Sequence, residues 1–138
     1  MAMDSAELDA AILALYWRIS RQTQRELSRS AASVLGTLRD EGPTRITDLA
    51  NLEAVTQPTM TTLVTRLERD GLVTRSPDPA DARAVRAGIT DEGRERLARM
   101  RAARAAVLDA ALAELEPDER AALRDALPVL EKLSRRNP

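Results

Sequence analysis

Hydrophobic residues recur every three or four positions through most of this chain, which is the spacing of amphipathic helices. One such stripe predicts a first helix from about residue 6 to about residue 26, and its members are Leu8, Ile12, Leu15 and Ile19. A second stripe predicts a helix that begins near Ser28 and ends at Gly42-Pro43, since glycine and proline terminate helices. The chain therefore begins as two helices.

Two further helices are predicted after residue 90. The pattern from Thr90 carries a long helix to about Leu115, and Pro117 is placed as the first residue of a last helix. Pro128 lies inside that last pattern, so we expect it to kink or split the helix. Long helices with Ala- and Leu-rich faces at both chain ends often pair with a second subunit, which predicts a dimer.

The middle of the chain predicts a helix-turn-helix. Ile46 is placed in a short extended piece, and Thr47 is expected to cap a helix over residues 48–54. Thr56 is expected to cap a second helix over residues 56–70. Two helices joined by a tight turn form a unit that binds DNA in some proteins and other proteins elsewhere.

Two alternating stretches follow, at residues 72–75 and 84–89, and predict the strands of a β-hairpin. The predicted fold class is therefore mainly α with a small β-hairpin wing, that is, a winged helix-turn-helix lobe with long terminal helices. We divide the chain into residues 1–27 as a dimerisation helix, residues 28–90 as the winged lobe and residues 91–138 as further dimerisation helices. Helices one, five and six are expected to lie outside the core of the lobe.

Composition narrows the chemistry of the chain. None of its 138 residues is cysteine or histidine, which excludes disulfides, thiol sensing and histidine–metal sites. No metal, no cofactor and no enzymatic activity are therefore expected, because most nucleophile–base pairs need one of these residues. The longest apolar stretch, residues 10–17, is too short to cross a bilayer, and no secretory signal is visible. We expect a cytoplasmic protein with no membrane partner.

The net charge of −1 argues weakly against a nucleic-acid partner, because phosphate contacts usually require a basic excess. All but one of the 21 basic residues are arginine, however, and arginine suits forked contacts to phosphates and base edges. Residues 45–90 contain six arginines and six acidic residues, so the predicted lobe is neutral. The placement of these charges decides whether the lobe can bind DNA.

The helix predicted over residues 56–70 has two distinct faces. Its apolar stripe, expected to face the lobe, comprises Met60, Leu63, Val64 and Leu67. The remaining surface is rich in threonine and comprises Pro58, Thr61, Thr62, Thr65 and Arg69, with Thr59 and Arg66 on its flank. Short hydrogen-bonding side chains with few acids suit a helix that enters a major groove. The alternative is a threonine-rich helix that is merely solvated.

The sequence from Thr44 to Gly93 resembles the DNA-binding lobe of MarR-type regulators. The resemblance rests on "LA…VTQPTMTTLVTRLERDGLV", on the pattern Asp81-x-Arg83-Ala84, and on Ile89-Thr90-x-x-Gly93 before the next helix. It extends more loosely to nearly the whole chain, because that family has the same order of elements and dimerises through its terminal helices.

The resemblance implies a homodimeric bacterial transcription factor, expected to be a repressor, that binds a pseudo-palindrome in double-stranded DNA. It places the recognition helix in the major groove and the wing in the minor groove. The residues expected to contact DNA are Gln57, Pro58, Thr59, Thr61, Thr62, Thr65, Arg66, Arg83 and Arg86. Arg83 is expected in the minor groove with Asp81 holding its guanidinium, whereas Arg86 makes either a phosphate contact or a surface ion pair.

Members of the family often bind small aromatic or phenolic molecules between their dimerisation helices and the winged lobe, and ligand binding then lowers DNA affinity. The resemblance makes Tyr16, Trp17 and Arg21 the candidate pocket residues, with Arg18 as an alternative counter-charge. The competing interpretation is that the Tyr-Trp pair anchors the packing of the dimer.

A different class of function also fits the predicted fold. A winged helix can serve as a protein–protein interaction module that never touches DNA, and the slightly acidic chain favours this alternative. The arginine in the wing and the threonine face favour DNA. Salt dependence separates the two hypotheses, because DNA binding through several phosphates falls steeply with added salt.

Overall fold

The computed structural model describes residues 3–23 and 27–135, which form six helices and a three-stranded sheet. The elements, in chain order, are α1 (Ser5–Gln22), α2 (Arg29–Glu41), β1 (Thr44–Arg45), α3 (Ile46–Leu52), α4 (Gln57–Arg69), β2 (Val73–Pro77), β3 (Val85–Ile89), α5 (Asp91–Ala113) and α6 (Pro117–Ser134). The predicted fold class, mainly helical with a small β wing, is confirmed. No helix in the described part of the chain is long and apolar enough to span a membrane.

The chain divides into two compact units. One unit spans Thr23–Ala103, and the other combines Met1–Gln22 with Arg104–Pro138. This division falls inside α5, whereas the sequence analysis placed a boundary between residues 90 and 91. The reason is that Leu97 of α5 is buried in the core of the first unit. Contrary to the expectation, helix five therefore contributes to that core.

The core of the Thr23–Ala103 unit is made by Leu27 and by residues from α2 to α5. Its largest fully buried side chains are Leu35, Leu38, Leu49, Met60, Leu72, Leu97, Val34, Val64 and Val73. The stripe predicted on α4 is confirmed, because Met60, Val64 and Leu67 are buried and Leu63 packs against the core half-buried. Each large apolar side chain buried in this way stabilises the fold by about 1.5–3 kcal/mol.

The sheet is antiparallel, with β3 between β1 and β2. The predicted hairpin is present as β2 and β3, but Thr44 and Arg45 add a third strand opposite Ala87 and Arg86. Two predictions made from the sequence are therefore wrong. Ile46 is not extended but begins α3, and Arg45 rather than Thr47 is the N-cap. The helix begins early because this places Ile46 on the buried face of α3.

The predicted start of α2 near Ser28 and its predicted end at Gly42 are confirmed. Ser28 caps α2 by accepting from the backbone N–H of Ala31 at 3.1 Å. Gly42 ends that helix at φ 80° and ψ −167°, a conformation open essentially to glycine. The helix α6 runs through Pro128 without splitting. The helix α1 ends at Gln22 and Thr23 lies outside it, whereas residues 24–26 of the expected extension lie outside the described residues.

A close backbone approach fixes the start of α5. The Thr90 N–H donates to the carbonyl of Leu72 at 3.0 Å, and the Thr90 hydroxyl donates to the carbonyl of Gly71 at 2.6 Å. The Gly93 N–H in turn donates to the Thr90 hydroxyl at 3.0 Å. A Cβ atom at Gly93 would lie 2.3 Å from the Leu72 carbonyl oxygen. Only glycine therefore fits where α5 crosses the turn that follows α4.

Replacing Gly93 tests this junction. We expect Gly93→Ala to lower the free energy of unfolding by about 3 kcal/mol, the upper end of the range for overpacking, because the obstacle is backbone. Gly88→Ala is the matched control, since the nearest atom to its added Cβ is the side chain of Pro43 at 3.6 Å. Urea denaturation of both variants measures the difference, and equal stabilities would contradict the close approach.

Candidate nucleic-acid interface

The amino-terminal end of α4 is capped and exposed. The Thr56 hydroxyl oxygen accepts from the Thr59 N–H at 3.3 Å and lies 2.8 Å from the Thr59 hydroxyl, which fixes the first turn. All residues of α4 that were predicted to contact DNA are exposed, namely Gln57, Pro58, Thr59, Thr61, Thr62, Thr65 and Arg66. The structure thus brings them together on the surface of α4 outside its buried stripe.

Two threonines of this surface use their hydroxyl protons inside the helix. Thr62 Oγ1 donates to the carbonyl of Pro58 at 3.0 Å, and Thr65 Oγ1 donates to the carbonyl of Thr61 at 2.8 Å. Each side chain can then offer an acceptor lone pair and a methyl group to a partner, but no free donor. On DNA those groups match an amino group of adenine or cytosine and the methyl group of thymine.

One buried carboxylate organises the loop between β2 and β3. Asp78 Oδ1 accepts from the backbone N–H groups of Ala80 at 2.7 Å and Asp81 at 3.1 Å. Its Oδ2 accepts from Arg45 Nε at 2.8 Å, although the two residues are 33 positions apart. The Asp78 N–H also donates to the carbonyl of Ala84 at 2.9 Å, which closes the loop. Asp78 therefore ties the loop to itself and to β1.

Sequence reasoning missed this role of Asp78. A local signal existed, because an aspartate between two prolines favours a turn in which its carboxylate accepts from backbone N–H groups two or three residues on. The hydrogen bond from Arg45, followed by that from the Ala80 N–H, lowers the pKa of Asp78 from 3.8 to about 2. The same pairing raises the pKa of Arg45.

We define the wing as residues 73–89, which comprise β2, β3 and the loop between them. Arg83 lies in that loop. Asp81 Oδ1 accepts from Arg83 Nε at 3.2 Å and from the Arg83 backbone N–H at 3.0 Å. The Arg83 side chain is nevertheless 92% exposed. The contact expected between Asp81 and Arg83 is thus present, and it leaves the rest of the guanidinium open to a partner. Its place in a minor groove stays a prediction.

Arg86 lies on β3, opposite Arg45 of β1 and Ser76 of β2. Its Nε atom is buried and has no hydrogen-bond partner among the described residues. A shallow cavity of about 420 Å³ borders Arg86, Arg45 and Asp78. Of the two alternatives raised for Arg86, an ion pair is not found with any described residue. The phosphate contact stays a prediction.

Comparison with known proteins identifies the group to which this arrangement belongs. The sequence model of the MarR family matches residues 27–85. An HTH-type transcriptional regulator of Mycobacterium leprae is 33% identical over 135 residues, which cover 97% of this chain and 94% of that protein. This chain belongs to the MarR family. It is therefore a DNA-binding transcriptional regulator, in a family of regulators and not of enzymes, and the resemblance found in its motifs is confirmed.

Solved structures agree with the assignment to the MarR family. A transcriptional regulator protein of Pseudomonas aeruginosa superposes with a TM-score of 0.83 at 31% identity, covering 96% of this chain and 94% of the other. BpsR of Bordetella bronchiseptica superposes with a TM-score of 0.69 at 26% identity, covering 98% and 95%. The winged-helix fold is thus shared over nearly the full length of both chains.

The candidate ligand residues of this MarR-family chain lie on α1. The rings of Tyr16 and Trp17 meet edge to face at 5.5 Å between centroids. Arg21 Nε donates to the carbonyl of Trp17 at 3.2 Å, and the Arg18 guanidinium lies 3.5 Å from the carboxylate of Glu114. Arg18 already has an acidic partner, which makes it the weaker counter-charge of the two. A ligand at Tyr16, Trp17 and Arg21 stays a prediction.

The pKa of Asp78 has a consequence for acid stability. Because the pKa is lower in the folded lobe than the ordinary 3.8, the ionised carboxylate favours folding above about pH 4. That contribution is lost as the pH falls from about 4 through about 2. We expect an NMR titration of the Asp78 carboxyl carbon to give a midpoint near 2, and Arg45→Gln to move it upward. A wild-type midpoint near 4 would show that the ion pair does not form.

Proposed function

We propose that this MarR-family protein is a homodimeric repressor that binds a pseudo-palindromic operator in double-stranded DNA. In each subunit α4 lies in a major groove, and the tip of the wing lies in the adjacent minor groove. One observation carries the proposal. The helix α4 is capped, and its exposed amino-terminal surface is free of acidic residues. The same lobe carries Arg83, which is paired with Asp81 while its side chain stays 92% exposed.

The distribution of charge on α4 supports this orientation. Residues 57–67 contain no acid, whereas Glu68 and Asp70 lie at the carboxyl-terminal end. Arg66 is exposed and forms no ion pair with any described residue, so its guanidinium can meet a phosphate. The amino-terminal turns of a helix read base edges in helix-turn-helix complexes, and repulsion from the acids there is smallest. Although the lobe as a whole is neutral, the amino-terminal surface of α4 can therefore lie against DNA without a nearby acidic side chain.

Dimerisation through the terminal helices is supported by their exposed apolar side chains. Neither α1 nor α6 contains a buried residue. The large hydrophobic side chains exposed on them are Ile12, Leu13, Leu15 and Trp17, and Leu123, Leu127, Val129, Leu130 and Leu133. Apolar surface of this extent is unfavourable in water, and a second copy of the same helices would cover it.

Control by a small ligand is supported by a regulator of similar structure. In BpsR, DNA binding is regulated by 6-hydroxynicotinic acid. We infer that a small aromatic anion binds this protein beside Tyr16 and Trp17, with Arg21 as its counter-charge. A ligand that prefers a conformation unsuited to the operator lowers DNA affinity by its difference in affinity between the two conformations. A repressor suits this scheme, because ligand capture then releases the promoter.

Selection of binding sites from random double-stranded DNA with the purified protein tests the proposal. We expect a palindrome whose half-site centres lie about 10 base pairs apart, because successive major grooves repeat at that interval. We expect the logarithm of the affinity to fall linearly with the logarithm of salt concentration. Absence of any DNA binding at low salt would instead support a winged-helix module that binds another protein.

The wing contact is tested by removing one side chain. We expect Arg83→Ala to weaken operator binding by about 1–3 kcal/mol, the scale of one good groove contact. Arg94→Ala is the matched control, because Arg94 is an exposed arginine on α5, outside the wing, α4 and the terminal helices α1 and α6. Fluorescence anisotropy with the selected operator measures both. Equal affinity of Arg83→Ala and wild type would place the wing away from DNA.

Base reading by α4 is tested by sequence preference. Gln57→Ala and Thr62→Ala each remove polar or methyl contacts from the exposed surface of α4, so each should change the preferred base at a defined position of both half-sites. Repeating the selection with each variant measures this change. If either variant binds every sequence more weakly by the same factor, its side chain does not read bases.

A further inference from the structure

Arg75 is a residue of β2 whose side chain contacts one flank of α4. Its Cα atom is paired with that of Ala87 across the sheet, and paired residues point to the same face. Because Ala87 is fully buried, the side chain of Arg75 lies on the core-facing side of the sheet. Val73, two residues earlier on β2, is buried on that face as well. The alternation of β2 thus places an arginine where an apolar residue would be expected, and only 31% of its side chain is exposed.

The guanidinium of Arg75 lies against α4 and stays partly exposed. Its Nη2 atom donates to the hydroxyl oxygen of Thr65 and lies 3.4 Å from the carbonyl oxygen of Thr61. Its Nε atom lies 3.9 Å from a carboxylate oxygen of Glu68. Three residues of one flank of α4 therefore surround a single cation from the neighbouring strand.

These contacts leave Thr65 with little rotational freedom. Its hydroxyl donates to the Thr61 carbonyl at 2.8 Å and accepts from Arg75, so rotation about χ1 would break both hydrogen bonds. Thr62, its neighbour on the exposed surface, has the first kind of bond only. A threonine in a helix otherwise divides between two rotamers, and this division is removed at Thr65. The methyl group is the contact that Thr65 offers from a fixed position.

We propose that Arg75 is a positioning residue for sequence recognition, which holds Thr65 so that its methyl group reads a thymine methyl in each half-site. The inference rests on the proposed binding of α4 in a major groove. Arg75 acts through Thr65 and does not neutralise a phosphate, because its guanidinium is already held by Thr65, Thr61 and Glu68. Specificity at one base pair then depends on a residue of the sheet that does not touch DNA.

Three variants of the full chain test the proposal: Arg75→Gln, Thr65→Ser and the double variant. Arg75→Gln removes the clamp, whereas Thr65→Ser keeps the hydroxyl and removes the methyl group. Each is assayed by site selection and by the salt dependence of operator affinity. Arg94→Gln removes the same charge from an exposed residue of α5 and serves as the matched control. Urea denaturation confirms that every variant remains folded at the assay temperature.

We expect Arg75→Gln and Thr65→Ser to lose preference for thymine at the same base pair of each half-site, each by about fourfold, the effect of one methyl-sized contact. The double variant should lose no more than either single variant, because both remove the same contact. The slope of the logarithm of operator affinity against the logarithm of salt concentration should be unchanged in Arg75→Gln. Arg94→Gln should match wild type in both base preference and salt slope.

Three results would overturn the proposal. A salt slope smaller by about 0.9 for each arginine removed would mean that Arg75 neutralises a phosphate. An unchanged preference in Arg75→Gln, or a change at a base pair different from that of Thr65→Ser, would mean that the clamp has no part in reading. A wild-type protein that selects no sequence at all would instead refute the proposed DNA binding, which keeps the two failures distinct.

Discussion

The burial of one face of α4 is the constraint on which the rest of the interface depends. Met60, Val64 and Leu67 together contribute about 5–9 kcal/mol on the scale of buried apolar side chains. The exposed polar contacts of the same helix are worth at most about 1 kcal/mol each. The apolar stripe therefore fixes the rotation of α4 about its axis, and the threonine surface is exposed as a consequence. Polar contacts then select the rotamers of side chains such as Thr65, whose backbone position the apolar stripe has already set.

Polar contacts are decisive in the wing, where there is little apolar surface to bury. The loop between β2 and β3 is held by the carboxylate of Asp78, which is 8% exposed and joined to Arg45 and two backbone N–H groups. A buried carboxylate is costly unless it is paired and hydrogen-bonded, and here both conditions are met. The loop is thereby fixed without any partner, so a partner that binds it would cost the loop little ordering entropy.

Periodicity and capping rules could predict most of the fold because they depend on neighbours in the sequence. The stripe of α4, the caps at Ser28 and Thr56 and the stop at Gly42 all depend on residues within a few positions. The failures have a common cause in distant contacts. Ile46 begins a helix because the core buries it, and the two residues of β1 are too few to show a period of two.

The candidate site was predictable to the same extent. The exposed surface of α4 follows from local spacing, the Asp81–Arg83 contact follows from the resemblance to MarR-type regulators, and the structure contains both. The pair Arg45–Asp78 and the clamp of Arg75 on Thr65 join residues 33 and 10 positions apart, and no local pattern signals them. The bonds of Thr62 and Thr65 to their own helix depend on rotamers, which composition does not determine.

The neutral charge of the lobe does not conflict with DNA binding once the arginines are sorted by partner. Arg45, Arg75 and Arg83 are paired with Asp78, Glu68 and Asp81. Among described residues Arg66, Arg69 and Arg86 have no ion-pair partner, and two of them lie on α4. Net charge sets the long-range attraction to DNA, whereas the salt slope counts the cations that reach phosphates. A neutral lobe with a few unpaired arginines on the binding surface should therefore bind non-specific DNA weakly and depend on base contacts for its affinity.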